Sequence, residues 1–197
     1  MSNEKINPTD SIDVQITRGA GSSESVDLHG VFTAICHDKN GNLKWEDEFN
    51  NTVLTAGKNA ILNIFMGTAA VNANRSTWFM GLIASNGYSA IAAADTHASH
   101  AGWIESGAAN GLVPRYSQST RRQVTFAAAS AGSKATSNAV IFSIDVSGTA
   151  KGAFIANNST KASTNASGVI YSAGLFTVGD KVLTGGDTLS ITYTASA

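Results

Sequence analysis

The sequence predicts a mainly β fold, a β-sandwich or jelly-roll-like domain of about eight strands with one helix and an extended N-terminal arm. Three observations lead there. Short runs rich in Val, Ile, Phe, Tyr and Thr recur along the chain, several with the two-residue alternation of a half-buried strand. Gly, Asn, Ser and Asp pairs separate those runs, as turns require. One segment alone carries a helical period, and many short strands beside one helix read as an all-β sandwich or jelly roll. At 197 residues the chain has the length of roughly one domain. The organisation expected is an arm over residues 1–25 and a single β-rich domain over 26–197.

The arm is polar, and alternation survives in it only at Ile12, Val14 and Ile16. These three are its candidate partner-binding residues, as an edge strand that orders on contact. Residues 31–36 are apolar and β-rich. The Asn40-Gly41 pair that follows predicts a tight hairpin turn with positive φ tolerated at both positions. Leu43, Trp45, Asp47 and Phe49 then alternate with Lys44, Glu46 and Glu48, and Asp47 breaks the apolar face. Residues 55–66 change period: Ala60, Ile61, Leu62, Ile64 and Phe65 make an apolar side, Thr55 is the expected cap and Gly67 the stop. Residues 78–84 read as a buried strand closed by Ser85-Asn86-Gly87. No strand is evident over 88–120, which is long for a connection in a compact domain and predicts a structured excursion or an interface. Four β-like runs follow at 123–127, 139–145, 150–156 and 169–176. The last strand, 188–194, directs Leu189, Ile191 and Tyr193 inward. No repeat of fixed period occurs.

Composition excludes several classes. Thirteen basic residues against 14 acidic lack the basic surplus of a nucleic-acid binder. No apolar run approaches the roughly 18 residues of a membrane helix, and residues 1–13 lack the apolar core of a signal peptide, so synthesis and folding are expected in a cytoplasm. Ala, Ser, Thr and Gly number 30, 23, 19 and 19, close to half the chain, whereas charged residues are 14% against about 25% in ordinary domains. Surfaces built this way suit packing against protein. The single cysteine, Cys36, forms no internal disulfide and reads as a small buried hydrophobe in a strand.

Reactive side chains gather at Asp95, His97, His100 and Glu105. Two imidazoles and a carboxylate could hold zinc, but a spacing of three joins the two histidines on one face only if the segment is helical, and no further ligand lies nearby. A Gly-x-Ser-x-Gly elbow and a phosphate-cradling loop are both missing. Neither an enzymatic activity nor a cofactor nor a small-molecule substrate is expected. Arg115, Arg121 and Arg122 read as a solvated strand edge or as partners for a neighbouring subunit. Trp78 and Trp103 read as core. Asp95, His100, Trp103 and Glu105 fit a loop anchor, Trp103 supplying burial and the polar groups fixing the course of the loop.

The order of motifs resembles a family of small virion proteins encoded by tailed bacteriophages. The resemblance rests on Gly41-Asn42-Leu43-Lys44-Trp45-Glu46-Asp47, Asn50-Asn51-Thr52-Val53 leading into Gly57-Lys58-Asn59, and Trp78-Phe79-Met80-Gly81-Leu82-Ile83. Asp95-Thr96, His100-Ala101-Gly102-Trp103-Ile104-Glu105 and Gly185-Gly186-Asp187-Thr188-Leu189 complete it. It runs from about residue 30 to the end. It implies a capsid decoration or cement protein on the virion surface, bound to the major capsid protein and to neighbouring copies of itself as a homo-oligomer. The alternative is a head or tail appendage that binds host-surface glycan through exposed aromatics; a hydrolase built on the 95–105 region is a third and weaker reading.

Overall fold

A computed structural model describes residues 27–65, 77–107, 113–161 and 168–197. The proposed arm, with Ile12, Val14 and Ile16, lies outside the described residues, as do Met66 and Gly67.

The chain opens with a hairpin of β1 (His29–His37) and β2 (Leu43–Val53). Its connection is wider than the expected two-residue turn. It runs over residues 38–42, closed by the Asp38 amide donating to the Asn42 carbonyl (2.8 Å). Only Gly41 has positive φ there (+85°). The Asp38 carboxylate accepts from the backbone amides of Asn40 (2.8 Å) and Asn42 (2.9 Å) and from the Asn42 side chain. That side-chain donor, with the two amides, holds the Asp38 carboxyl below the usual range. A carboxylate that organises three donors favours the longer loop.

β2 alternates as expected, and the break at Asp47 has a cause. Asp47 is buried, accepts from the Thr177 amide (3.1 Å) and pairs with Lys181 (3.1 Å). Residues 43–50 of β2 lie along β1, whereas Asn51–Val53 lie along β9 (Ile170–Leu175). This change of partner carries the chain from one half of the sheet to the other.

In the first half, β1 pairs with β11 (Thr188–Ser196), which pairs with β7 (Val140–Val146) and then β4 (Arg115–Tyr116). In the second, β9 pairs with β8 (Gly148–Ala156), then β3 (Trp78–Ala84), then β5 (Arg122–Val124). β6 (Ser133–Ala135) adds to β11 and β10 (Lys181–Leu183) to β8. Every pairing among the described residues is antiparallel, and over those residues the fold is mainly β with one helix. The sheet curls so that both halves share one core: Phe32, Phe49, Phe142, Leu189, Ile191 and Tyr193 from the first meet Met80, Leu82, Ala153 and Ile155 from the second. Cys36 sits in it, its thiol pushed up to about 12 by burial, with the neighbouring Asp187 adding to the effect.

The helix α1 (Thr55–Phe65) forms where the period predicts it. Its cap and its buried side differ. The Leu54 carbonyl accepts the first helical bond, from Lys58 (3.0 Å), so Leu54 occupies the cap position and Thr55 is already inside. Gly57 and Ala60 are buried and Leu62 is exposed. The helix turns its glycine edge to β9, so close that a Cβ on Gly57 would collide with the Tyr171 carbonyl, and this seating rotates Leu62 outward. The Ile64 and Phe65 side chains lie outside the described residues.

Gly41 has open space around it, so a substitution there meets backbone strain alone. Gly41→Val is expected to lower stability by about 1 kcal/mol or more, read as a lower denaturation midpoint with an unchanged slope; an unchanged midpoint would remove the turn's dependence on positive φ.

Candidate functional site

β3 and β8 are buried on both faces. Beyond the shared core, Ile83, Phe154, Ala156, Ile170 and Ala173 make a second cluster on the outer face. Residues 85–107 cover it, and their chemistry is the densest in the described protein.

Trp103 is the centre of this cover, 1% exposed. Its indole N–H donates to Asp95 Oδ2 (2.9 Å). The same oxygen accepts from the Ala92 amide (2.9 Å), so one carboxylate fixes both a turn and the tryptophan. The His100 ring stacks on Trp103 at 4.1 Å, and its Nδ1 donates to the Trp103 carbonyl (3.1 Å). The Phe154 ring, from β8, packs on Trp103 at 5.0 Å. Asp95, His100 and Trp103 therefore form one group, with the geometry of an anchor.

Glu105 stands apart from them. Its partner is Arg121, just before β5. Nε meets Oε1 and Nη2 meets Oε2, each at 2.9 Å, a two-pronged pair with both side chains 2% exposed. Arg121 Nη1 donates to the Asn158 carbonyl (2.9 Å) and to His97 Nε2 (3.0 Å). The guanidinium also lies over the Phe154 ring, 5.1 Å from its centre. His97 is buried and, as an acceptor from a cation, presents a bare Nε2. Arg121 is thus no solvated edge. It is an internal partner, because a carboxylate buried on the sheet's outer face requires a fork of donors.

Arg115 is exposed and pairs with Asp145 (2.8 Å), which holds the Asp145 carboxyl below its usual range. Arg122, at the start of β5, is half-buried. Arg121, being buried, shares no surface with the other two. Nor do the two histidines share a ligand position, since His97 faces Arg121 and His100 faces Trp103. Among the described residues no three His, Cys, Asp or Glu come together as metal ligands, and no helix is long and apolar enough to cross a membrane.

Arg121 and His97 are the members that sequence reasoning misplaced. The only available signal was the position of Arg121 directly ahead of a β run, which is weak. Comparison with protein-family models, with curated proteins and with solved structures finds no match to this chain. What the arrangement does chemically is hold: its hydrogen-bonding groups face one another, and a 23-residue cover without strands of its own is tied to the sheet.

Two outcomes follow. Trp103→Ala is expected to cost about 3–5 kcal/mol, as for a large aromatic taken from a core, measured by denaturant unfolding. Arg121→Met should cost about 3–5 kcal/mol by leaving Glu105 buried without its fork, and adding Glu105→Leu should restore most of the loss. A double variant as weak as the single one would show that the pair's shape, and not its charge, sustains the cover.

Proposed function

We propose that this chain is a structural protein of a tailed-phage virion, a decoration or cement protein that binds the major capsid protein lattice beside further copies of itself and stabilises the head. The observation that carries the reading is the use made of the reactive side chains. Asp95, His97, His100, Glu105 and Arg121 are spent inside the fold on holding a cover to a sheet, which is what a protein needs when its task is to keep a shape. A particle component works by contact area, and contact is easiest where few ions must be desolvated. With 14% charged residues the chain meets that condition. The motif order described above supplies the class of particle.

A glycan-binding appendage needs an aromatic platform open to solvent. Among the described residues no Trp or Tyr is fully exposed: Trp103, Tyr116 and Tyr193 are buried, and Trp45, Trp78, Tyr88 and Tyr171 are half-buried, Trp78 and Tyr171 within a groove and not on an open face, which favours the decoration role over adsorption. Copy number separates the two. Quantitative mass spectrometry of purified particles is expected to find hundreds of copies per virion, and the isolated protein should pellet with capsids that lack it. A dozen copies or fewer would move the chain to an appendage, and absence from the particle would end the virion reading.

A further inference from the structure

The second apolar feature of the molecule is a groove of about 210 Å³ at one end of the curled sheet, between the Gly57–Ile61 edge of the helix and the ends of β3, β9 and β11. An aromatic row lines it. Trp78 leans on Tyr171 (5.7 Å), Tyr171 meets Tyr193 edge-on (6.4 Å), and Phe126 meets Tyr193 from the other side (6.5 Å). Among the described residues the one charged member of the lining is Lys134.

We propose that the chain's own N-terminal arm occupies this groove, with Ile12, Val14 and Ile16 seated against the aromatic row. Four observations carry this. The first is where the arm is rooted. Gly30 pairs with Ala195 in the sheet, and Ala195 is a wall of the groove. The Tyr193 phenol lies against Gly30 so closely that no Cβ would fit there. The chain therefore enters the described structure at the groove's rim.

The second is reach. Twelve residues separate Ile16 from His29, a span of up to ~40 Å when extended and ~20 Å as a flexible coil. A return to the adjacent groove needs neither limit. A tether this short gives its own end an effective concentration in the millimolar range, ahead of any free competitor.

The third is pattern. In an extended segment alternate side chains fall on one side, about 6.7 Å apart. Residues 10, 12, 14, 16 and 18 then present Asp, Ile, Val, Ile and Arg in a row. Three aliphatic side chains in a row suit a lining that, apart from Lys134, is apolar and aromatic. The fourth is charge. Asp10, at one end of that row, has a counterpart in Lys134, whose Nζ already donates to the Ala127 carbonyl (2.9 Å) and has further protons to give, and among the described residues no acidic side chain stands in the lining to repel it. The arm's apolar contacts then belong to its own chain and not to a neighbouring subunit, whatever particle the chain serves.

The test uses the full-length chain carrying 5-fluorotryptophan, whose three signals report Trp45, Trp78 and Trp103, Trp78 being assigned with Trp78→Phe. A nitroxide is attached at Ser11→Cys; Cys36 is buried and stays unlabelled. The Trp78 signal is expected to broaden several-fold more than that of Trp103, which lies on the outer face of the sheet. Combining Ile12→Ser, Val14→Ser and Ile16→Ser should abolish that difference and shift the Trp78 resonance, with the Trp103 signal unchanged as the check on folding. Trp78 unaffected by the label, or broadening that survives the triple substitution, would overturn the proposal. So would broadening in a mixture of spin-labelled, unfluorinated chains with fluorinated, unlabelled ones, since that result assigns the groove to the arm of a second copy.

Discussion

The pairing of Glu105 with Arg121 is the constraint on which the rest of the structure depends. The β9–β8–β3 half of the sheet is apolar on both faces, and without a cover Ile83, Phe154 and Ile170 would stand in water. The cover has no ladder of its own. It reaches the sheet through single backbone bonds, such as Ser106 to the Leu82 carbonyl and Ala84 to the Ile104 carbonyl. Apolar contact alone would let such a segment slide. A buried ion pair adds little net stability over apolar residues of the same volume, but it has direction: the carboxylate is satisfied only where the fork of donors lies. Arg121 extends the same constraint to His97 in the middle of the cover and to Asn158 just beyond β8. One guanidinium thus sets the register of three segments.

A second set of polar contacts plays a comparable part in the middle of the strand order, where β2 joins the two halves. β2 changes partner after Asn50, and such a switch leaves the corner of a sheet open to splaying. Asp47 bridges the corner by binding the Thr177 amide and Lys181, and Lys44 pairs with Asp187 at the far turn. Asp187 in turn accepts from the Thr184 amide, so the turn ahead of β11 is fixed by the same carboxylate. Both corners set a buried acid against a lysine, and at the first Lys181 also lies over the Trp45 ring that packs edge-on against Phe176.

What could be read in the sequence follows from how local each signal is. Strands that alternate strictly were legible with their faces: Leu189, Ile191 and Tyr193 are all buried as their spacing requires, and β3 occupies the residues its apolar run marks. Asp47 was legible as an anomaly, since a carboxylate in an apolar register must find a partner. β4, β6 and β10 were not legible, because two or three residues carry no period. The orientation of α1 was misread for a different reason: its contact depends on Gly57, a residue that periodicity scores as neutral. Glu105 was grouped with Asp95 and His100 by proximity in the chain, whereas its partner lies sixteen residues on. Nothing local distinguishes an arginine that will be buried from one that will not.

The composition also divides differently from how a sequence alone suggests. Small residues read as a property of the surface, yet many are inside. Ala150, Gly152, Ala153 and Ala156 line both faces of β8 and are buried. A Cβ on Gly152 would strike the Gly174 carbonyl, and one on Gly81 would strike the Phe154 ring and Glu105. These residues let strands, helix and cover approach closely enough for a sheet with two buried faces to fill its volume. A different set remains outside: residues 127–132, Ala-Ala-Ala-Ser-Ala-Gly, are exposed throughout at the tip of the β5–β6 connection. They carry no charge and little side chain to order. Any contact the chain makes with a lattice through them would bury backbone and methyl groups and would need no ion desolvated. The interior small residues explain how the fold closes, and only the exterior ones bear on what it could touch.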